Sequence, residues 1–549
     1  MNRTTIVICL VSLLTILSSW STSAETTGEK APAKELFTSA DNCQACHNRL
    51  ADGDGEDLSI GVQWRGSVMA HAAKDPYWRA SVRRETMDHP AALDAIVDEC
   101  TICHMPMARK AAIHAGVKNA IRRMLPGNQR TLLPGGDRAI EGVSCTVCHQ
   151  IADEGLGEER SFTGGFVVDP ITREGERAIF GPFDPEKGTP RLMSSASKFV
   201  PTRGDHIRSA QLCATCHTLY THAVRTDGTQ SERFPEQVPY LEWLHSDHNT
   251  SSSCQGCHMP AINGEAAVTS VLGTPRNDIR RHFFRGGNVF LLGMLSRFSA
   301  QLGVQAGAGE IATVRSASRQ NLENAAAVLD AGATLLEKDG RTMVELRVTV
   351  FNLAGHKLPT AYPSRRVWLH VTASIRGKTV FESGALQPDG SIRGNDNDAD
   401  GSAYEPHYEQ IRSADEVQIW ESILGDREGR VTTGLLQAER YLKDNRIPPS
   451  GFDKQIVDSD VAVIGAAFAD EDFAGGEDTV VYLLDAPPQG DVLQFKVELF
   501  YQSIGRRWAQ NLSDYDDAEE PAAFVDMFNA MPTALSATVL SSAAVRLTP

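Results

Sequence analysis

Ten cysteines of this chain fall into five copies of one pattern, Cys-x-x-Cys-His, and nothing else in the sequence constrains the fold so tightly. The copies are Cys43, Cys46 and His47; Cys100, Cys103 and His104; Cys145, Cys148 and His149; Cys213, Cys216 and His217; and Cys254, Cys257 and His258. Two thiols three residues apart with an imidazole directly behind them form the attachment signature of c-type haem. The thiols add to the porphyrin vinyl groups and the histidine becomes the proximal iron ligand. Structural zinc uses paired Cys-x-x-Cys units without the trailing histidine, and disulfides give no reason for one. The pattern implies five covalent haem c groups.

The eleventh cysteine, Cys9, lies in a segment of another kind. A basic start at Arg3, an apolar run from Ile6 to Leu17 and a small-residue "TSA" before Glu25 read as a secretory leader over residues 1–24, cut after Ala24. The run is shorter than the roughly 20 residues of a membrane span, and Cys9 is not placed for a lipid anchor. Export suits c-type cytochromes, which are assembled outside the cytoplasm, so a periplasmic or secreted location is expected, with no membrane span.

Composition shifts near residue 310. Residues 25–310 carry all five motifs, fewer than about 60 residues for each, so a mostly helical and irregular multihaem domain is expected, with the macrocycles as its apolar interior. Helical spacing appears in "DPYWRASVRRETM" (75–87) and "NVFLLGMLSRFSAQL" (288–302), between Gly- and Pro-rich loops such as "LPGNQRTLLPGGD". Over residues 320–549 the period changes to two in "MVELRVTVFNL", "VWLHVTASI", "TVFESG", "DTVVYLLDA", "VLQFKVELFYQ" and "TALSATVLSSAAVRL". These runs predict an antiparallel β-sandwich of immunoglobulin-like kind, interrupted by a helix at "EEPAAFVDMFNAM"; "VTTGLLQAERYLKDNRIPPSGFD" is not clearly strand.

Each iron has a second face. The histidines outside the motifs are His71, His89, His114, His206, His222, His245, His248, His282, His356, His370 and His407, more than five irons require. The motifs "EGVSCTVCHQI", "SAQLCATCHTLYT", "FPEQVPYLEWL", "SCQGCHMP", "HFFRGGN" and "GHKLPTAYPSRRVWLH" resemble those of periplasmic multihaem c-type cytochromes related to the nitrifier tetrahaem cytochrome and to the haem core of hydroxylamine oxidoreductase. The likeness covers most of residues 40–370. In that family a Trp-x-x-Ser-x-His unit supplies a distal ligand, and Trp243, Ser246 and His248 match it. The resemblance also implies His206, His282 and His356 as distal ligands, and haem packing close enough for electron hopping.

The Trp-x-x-Ser pattern occurs twice. Trp64 and Ser67 align with Trp243 and Ser246, which puts Met69 at the ligand position and His71 two residues on. Three outcomes stay open: Met69 ligates and raises that haem's potential, His71 ligates, or the position is vacant. Met69 as apolar filler on a helix face competes with all three. His89 and His114 are weaker substitutes, and His222, His245 and His370 read as solvated or packed.

Substrate chemistry requires an open or exchangeable iron position. No Cys-x-x-Cys-Lys occurs, so the lysine-ligated haem of the pentahaem nitrite reductases is not matched. Five motifs are too few for the hydroxylamine-oxidising pattern with its tyrosine cross-link. Both points favour electron transfer over catalysis.

In "DNDADGSAYEPHYE", Asp396, Asp398 and Asp400 alternate before Gly401 as in the first half of a calcium loop, with His407 where the closing Glu belongs and Glu405 or Glu409 as substitutes. Calcium and an Asp-rich solvated turn are the competing readings. "DGDGED" at Asp52–Asp57 reads as a loop. The net charge of -17 argues against nucleic acid or anionic membrane and favours a redox partner with a basic docking patch. The clusters "VRRE", "IRRML" and "DIRRHFFR" either neutralise haem propionates or are ordinary surface charge. The chain thus reads as an exported pentahaem cytochrome relaying electrons, its β-half capping the haem array or docking a partner. The main alternative is a multihaem oxidoreductase acting on a small nitrogen or sulfur compound at one open haem. A third is a β-half that recognises an outer-surface partner, wired by the haems.

Overall fold

Around the motifs the chain makes short helices, and local capping chemistry starts some of them. Asp75 caps helix Pro76–Asp88, its Oδ1 accepting from the backbone N–H groups of Tyr77 at 2.8 Å and Trp78 at 3.2 Å, and Pro76 fits the first helical position. A computed structural model describes residues 35–117, 140–225 and 229–548. The leader at 1–24, the "IRRML" cluster and the "LPGNQRTLLPGGD" loop lie outside the described residues. Among the described residues no helix is long and apolar enough to cross a membrane.

Four strands lie in the first half. β1 (Arg177–Gly181) pairs in parallel with β2 (Phe199–Arg203), and β3 (Leu219–Val224) pairs antiparallel with β4 (Gln230–Gln237). Eleven more follow: β5 (Ala327–Lys338), β6 (Arg341–Asn352), β7 (Arg366–Ile375), β8 (Lys378–Ser383), β9 (Gln410–Ile411), β10 (Ile419–Gly425), β11 (Val431–Thr432), β12 (Arg440–Asp444), β13 (Glu477–Asp485), β14 (Leu493–Gln502) and β15 (Ala537–Leu547). They form a four-stranded sheet in the order β5-β6-β13-β9 and a seven-stranded sheet in the order β11-β10-β7-β14-β15, with β8 on β7 and β12 on β10. All these pairings are antiparallel except β9 with β13.

The period of two explains how the sheets bury apolar surface. Val344, Leu346, Val348 and Val350 of β6 are fully buried, as are Val367, Leu369, Val371 and Ala373 of β7, and these join Phe495, Val497 and Leu499 of β14 in one cluster. Alternate side chains of both sheets therefore share a single core. The segment 431–453 contributes only β11 and β12, in keeping with its weak strand pattern.

Two elements fall where the sequence gave little contrast. Helix Ala308–Ala325 spans the compositional change near 310–320, and it buries only Ile311, Val314, Ser318 and Leu322, a narrow stripe at helical spacing. β5 follows directly, with most of its residues exposed or half-buried. Helix Glu519–Ala530 interrupts the strand run between β14 and β15, as expected, and it packs on Pro76–Asp88: Phe524 meets Tyr77 with ring centres 5.1 Å apart. Phe524, Met527 and Phe528 share a cluster with Leu291, Leu295, Ile311 and Val314, so the last helix of the chain belongs to the core of the first half.

A charged group also lies buried between the halves. Lys357, Asp444, Arg446 and Glu242 are each 4 % exposed or less. Nζ of Lys357 donates to Asp444 at 2.7 Å, and Arg446 bridges Asp444 at 2.7 Å and Glu242 at 3.0 Å. Burial would raise the Asp444 carboxyl, but Arg446 and Lys357 outweigh it and hold it at about 2. The ordinary value is about 3.9, so this carboxylate contributes stability that is complete above that pH and lost as pH falls towards about 2. Acid unfolding followed by circular dichroism should therefore show a steeper stability loss from about pH 4 downward in the native chain than in Asp444→Asn. In the apolar core, Leu346→Ala should cost about 2–5 kcal/mol in urea unfolding, because the facing sheet cannot collapse into the gap.

Candidate haem centres

In a Cys-x-x-Cys-His unit one helical turn aims three side chains the same way. The backbone N–H of His47, His149 and His217 each donates to the first cysteine's carbonyl at 3.0 Å, closing that turn, and His104 and His258 end helices Leu93–His104 and Cys254–His258. Positions i, i+3 and i+4 thereby share one face. The turn builds an attachment unit locally, without help from distant chain.

The imidazoles are then fixed from behind. Nδ1 of His47 donates to the Val268 carbonyl at 2.7 Å, His104 to Ala72 at 2.9 Å, His149 to Phe180 at 2.6 Å and His258 to Arg285 at 2.6 Å. A carbonyl can only accept, so Nδ1 carries the proton and Nε2 keeps its lone pair. Desolvation lowers the basicity of the half-buried rings His104, His149 and His258, with His104 and His258 down to about 4, which keeps them neutral; the more exposed His217 is lowered in the same direction. A neutral imidazole with a free Nε2 is the form that ligates iron.

Two of these rings face a second imidazole. His282 lies across from His149 with ring centres 6.4 Å apart and planes 18° apart; His356 lies across from His258 at 6.3 Å and 14°. Two imidazoles bound to one metal from opposite sides through bonds of about 2 Å have ring centres roughly 6 Å apart, so the gap fits an iron. Nδ1 of each facing ring is again tied to a carbonyl, that of Arg280 for His282 and that of Lys357 for His356, both at 3.0 Å. These donor sets fit haem c.

The other sequence candidates stand differently. His206 uses Nε2 for the Ile151 carbonyl at 2.8 Å and sets its edge on Phe180, whose own carbonyl holds His149. His248 is half-buried against the residue next to His356: a Cβ at Gly355 would come 3.1 Å from its own Cβ. Met69 is half-buried and its carbonyl receives the Val143 N–H at 3.0 Å. His71 is buried, with Nε2 on the Arg65 carbonyl at 2.9 Å and Nδ1 lacking any partner, so of these two residues His71 has the uncommitted buried nitrogen. His89 approaches Glu85 at 3.9 Å, His245 meets Asp458 at 3.5 Å, His370 sits between Glu382 and Glu498, His222 lies on β3 and His114 is exposed.

The Trp-x-x-Ser repeat has a role the sequence did not disclose. The indole N–H of Trp64 donates to the Val143 carbonyl at 2.8 Å and that of Trp243 to the Ser252 carbonyl at 3.0 Å. Each acceptor stands two residues before the first cysteine of a motif, Cys145 or Cys254. The tryptophans thus clamp the approach to two of the Cys-x-x-Cys-His motifs. A third tryptophan, Trp78, stacks flat on His104 with ring centres 4.4 Å apart and planes 3° apart.

Cysteines of different motifs lie near one another. Cys43 neighbours Cys145, Cys213 neighbours Cys254 and Cys148 neighbours Cys216, and the Cys103 thiol donates weakly to the Cys216 carbonyl at 3.9 Å. The first motif therefore abuts the third, the second abuts the fourth, and the fourth abuts the fifth while neighbouring the third.

The acidic run does not form a calcium loop. Asp396–Ala399 makes a helical turn that sends its carboxylates apart. Asp398 is taken by Arg366 at 2.9 Å and the Ile392 N–H at 2.8 Å, Asp400 caps Ser402, and Glu405 receives the Asp396 N–H at 3.1 Å. Asp52 closes its own turn by accepting from Asp54 and Glu56. His407 gathers instead with Asp470 and Asp478, three groups close enough to share a cation. Its Nδ1, however, accepts from the amides of Gln418 at 2.9 Å and Asn445 at 3.1 Å. Both amides are oriented by their oxygens, which accept the N–H groups of Tyr408 and Glu421. Nε2 must then hold the proton and donate to Asp470 at 2.9 Å, so the cluster is a hydrogen-bond network.

The arginines of the basic clusters are largely paired: Arg281 with Glu56 at 2.6 Å, Arg280 with Asp278 at 3.1 Å, Arg83 with Glu520 at 3.7 Å and Arg84 with Asp88 at 3.7 Å. Arg285 reaches the Cys257 carbonyl at 2.8 Å, beside the fifth motif.

No family model matches the chain, and no curated protein matches it. Among solved structures the chain is similar to a penta-heme cytochrome c552 from Thermochromatium tepidum, with a TM-score of 0.47 and 14% identity over 94% of this chain and 99% of that one.

Proposed function

We propose that the chain is an exported c-type cytochrome carrying five covalent haems, which passes electrons along them to and from a protein partner. The observation that carries this reading is the closeness of cysteines from different motifs, Cys43 to Cys145, Cys103 to Cys216 and Cys213 to Cys254. Each of these sulfurs would be a thioether on a porphyrin edge, so their closeness would bring macrocycle edges near one another, and electron transfer falls steeply with edge separation. When bound, the haems would supply reversible one-electron chemistry. The chain's cysteines would attach them, the main-chain carbonyls hold the proximal imidazoles oriented, and His282 and His356 would be the second ligands at the third and fifth motifs. In this reading the fourth motif is the junction from which paths lead to the second, third and fifth. The two sheets act as an immunoglobulin-like sandwich that caps the array, and the leader and the haem chemistry together support a periplasmic or secreted location.

A second reading has one haem open to a small nitrogen or sulfur compound. It is favoured by the three proximal rings His47, His104 and His217, which among the described residues face no imidazole at the spacing seen for His149 and His258; of these, His104 has its flat face stacked by Trp78.

A pyridine haemochrome assay on the purified chain should give five haems per polypeptide; four or fewer would remove a motif from the array. His282→Ala should turn one low-spin iron high-spin in the electron paramagnetic resonance spectrum and leave the others unchanged. In the native spectrum, irons that are all low-spin and indifferent to nitrite, hydroxylamine and sulfite support the carrier. A high-spin iron that shifts on addition supports the open haem.

A further inference from the structure

His356 is carried by an irregular loop between β6 and β7, far in sequence from the motif it faces. Such a loop needs fixing on both sides if a ligand ring is to hold a 6.3 Å partnership. On one side Asn352 does this, its amide donating to the carbonyls of His356 at 2.8 Å and Ile447 at 3.0 Å. On the other side stands Glu242, which is fully buried. One Glu242 oxygen accepts the Lys357 backbone N–H at 3.1 Å and the Thr360 hydroxyl, and the other accepts Arg446 at 3.0 Å. Arg446 and Lys357 then converge on Asp444, and Lys357 also donates to the Ala462 carbonyl at 3.0 Å.

Glu242 also belongs to the opposite ligand. It lies in helix Pro239–Leu244, and its neighbour Trp243 clamps Ser252 at the approach to Cys254 and His258. Two adjacent residues thus reach the two sides of one centre: Trp243 to the strand of chain ending in His258, and Glu242 to the residue after His356.

We propose that Glu242 is the positioning residue that sets His356 opposite His258, and that the network of Glu242, Asp444, Lys357 and Arg446 keeps that centre in balanced surroundings. Two carboxylates and two cations sum to zero, and all four are buried where solvent screens little. Removing one acid leaves an excess positive charge that favours the reduced iron; removing one base leaves an excess negative charge that favours the oxidised iron. The two losses therefore move the same centre in opposite directions. A role confined to stability would have no such sign.

The inference rests on His258 and His356 being the two ligands of one iron, and the experiment separates the two claims. The haem-loaded full chain is titrated potentiometrically, with electron paramagnetic resonance resolving the centres, in His356→Ala, Glu242→Gln, Lys357→Met and the double variant Glu242→Gln/Lys357→Met. His356→Ala should convert one low-spin centre to high spin; five unchanged low-spin centres would overturn the ligand reading itself. The centre lost in that variant should move to higher potential in Glu242→Gln and to lower potential in Lys357→Met, with the other four unmoved. If it stays put, or moves the same way in both, the positioning network is overturned while the ligand reading stands. Should a single variant fail to fold, the double variant restores the balance and should show this centre near its native potential; a shift in the double variant as large as a single charge change produces overturns the proposal.

Discussion

The arrangement of the motif histidines depends on a hydrogen bond made behind the ring. Four proximal imidazoles donate Nδ1–H to a main-chain carbonyl, and this settles the tautomer, the ring plane and the direction of the free nitrogen together. The helical turn of Cys-x-x-Cys-His brings sulfur and imidazole to one side, but it leaves the ring free to rotate about its side-chain torsions. The carbonyl removes that freedom. Its acceptors come from loops and short elements, which explains why irregular chain is so abundant there: a carbonyl already committed to a helix or sheet ladder is less available to a side chain.

The two halves solve burial in different ways. In the sheets, alternation supplies a continuous apolar core from Val344 to Leu499. Around the motifs the apolar clusters are small and separate, such as Ala40, Trp64 and Ala70, or Leu36, Phe37, Met107, Val147, Ile151 and Phe166. The helix Glu519–Ala530, returned to pack on Pro76–Asp88, adds Phe524, Met527 and Phe528 to a larger cluster with Leu291, Leu295, Ile311 and Val314 and so ties the end of the chain to the first half.

The sequence was most readable where chemistry is local. The five attachment units need only three side chains on one turn, and strands such as β6, β7, β13 and β14 announce themselves by alternation. What could not be read depends on long-range partners. The carbonyls behind His47, His104, His149 and His258 lie 221, 32, 31 and 27 residues away, and no periodicity marks a carbonyl. The facing rings of His282 and His356 were reached through a resemblance of short motifs, since supply of histidine says nothing of placement. The acidic run left calcium and an Asp-rich turn open because spacing of Asp residues does not reveal that Arg366 and a backbone N–H already engage the Asp398 oxygens. Helix Ala308–Ala325 and β5 escaped because a four-residue stripe and a mostly exposed strand carry little hydrophobic contrast.

The twin tryptophan clamps have an implication for how such a chain can vary. Each indole secures the run-up to an attachment unit through a main-chain oxygen, so the grip is indifferent to which side chains surround it. The side chain two residues past each serine takes no part in that grip: where it is Met69, only its main-chain carbonyl joins in, accepting the Val143 N–H at 3.0 Å. One copy carries histidine there and the other methionine, and the same indole-to-carbonyl bond is made in both. Seating of the motif thus rests on main-chain oxygens, which leaves the side chain at that position free to differ.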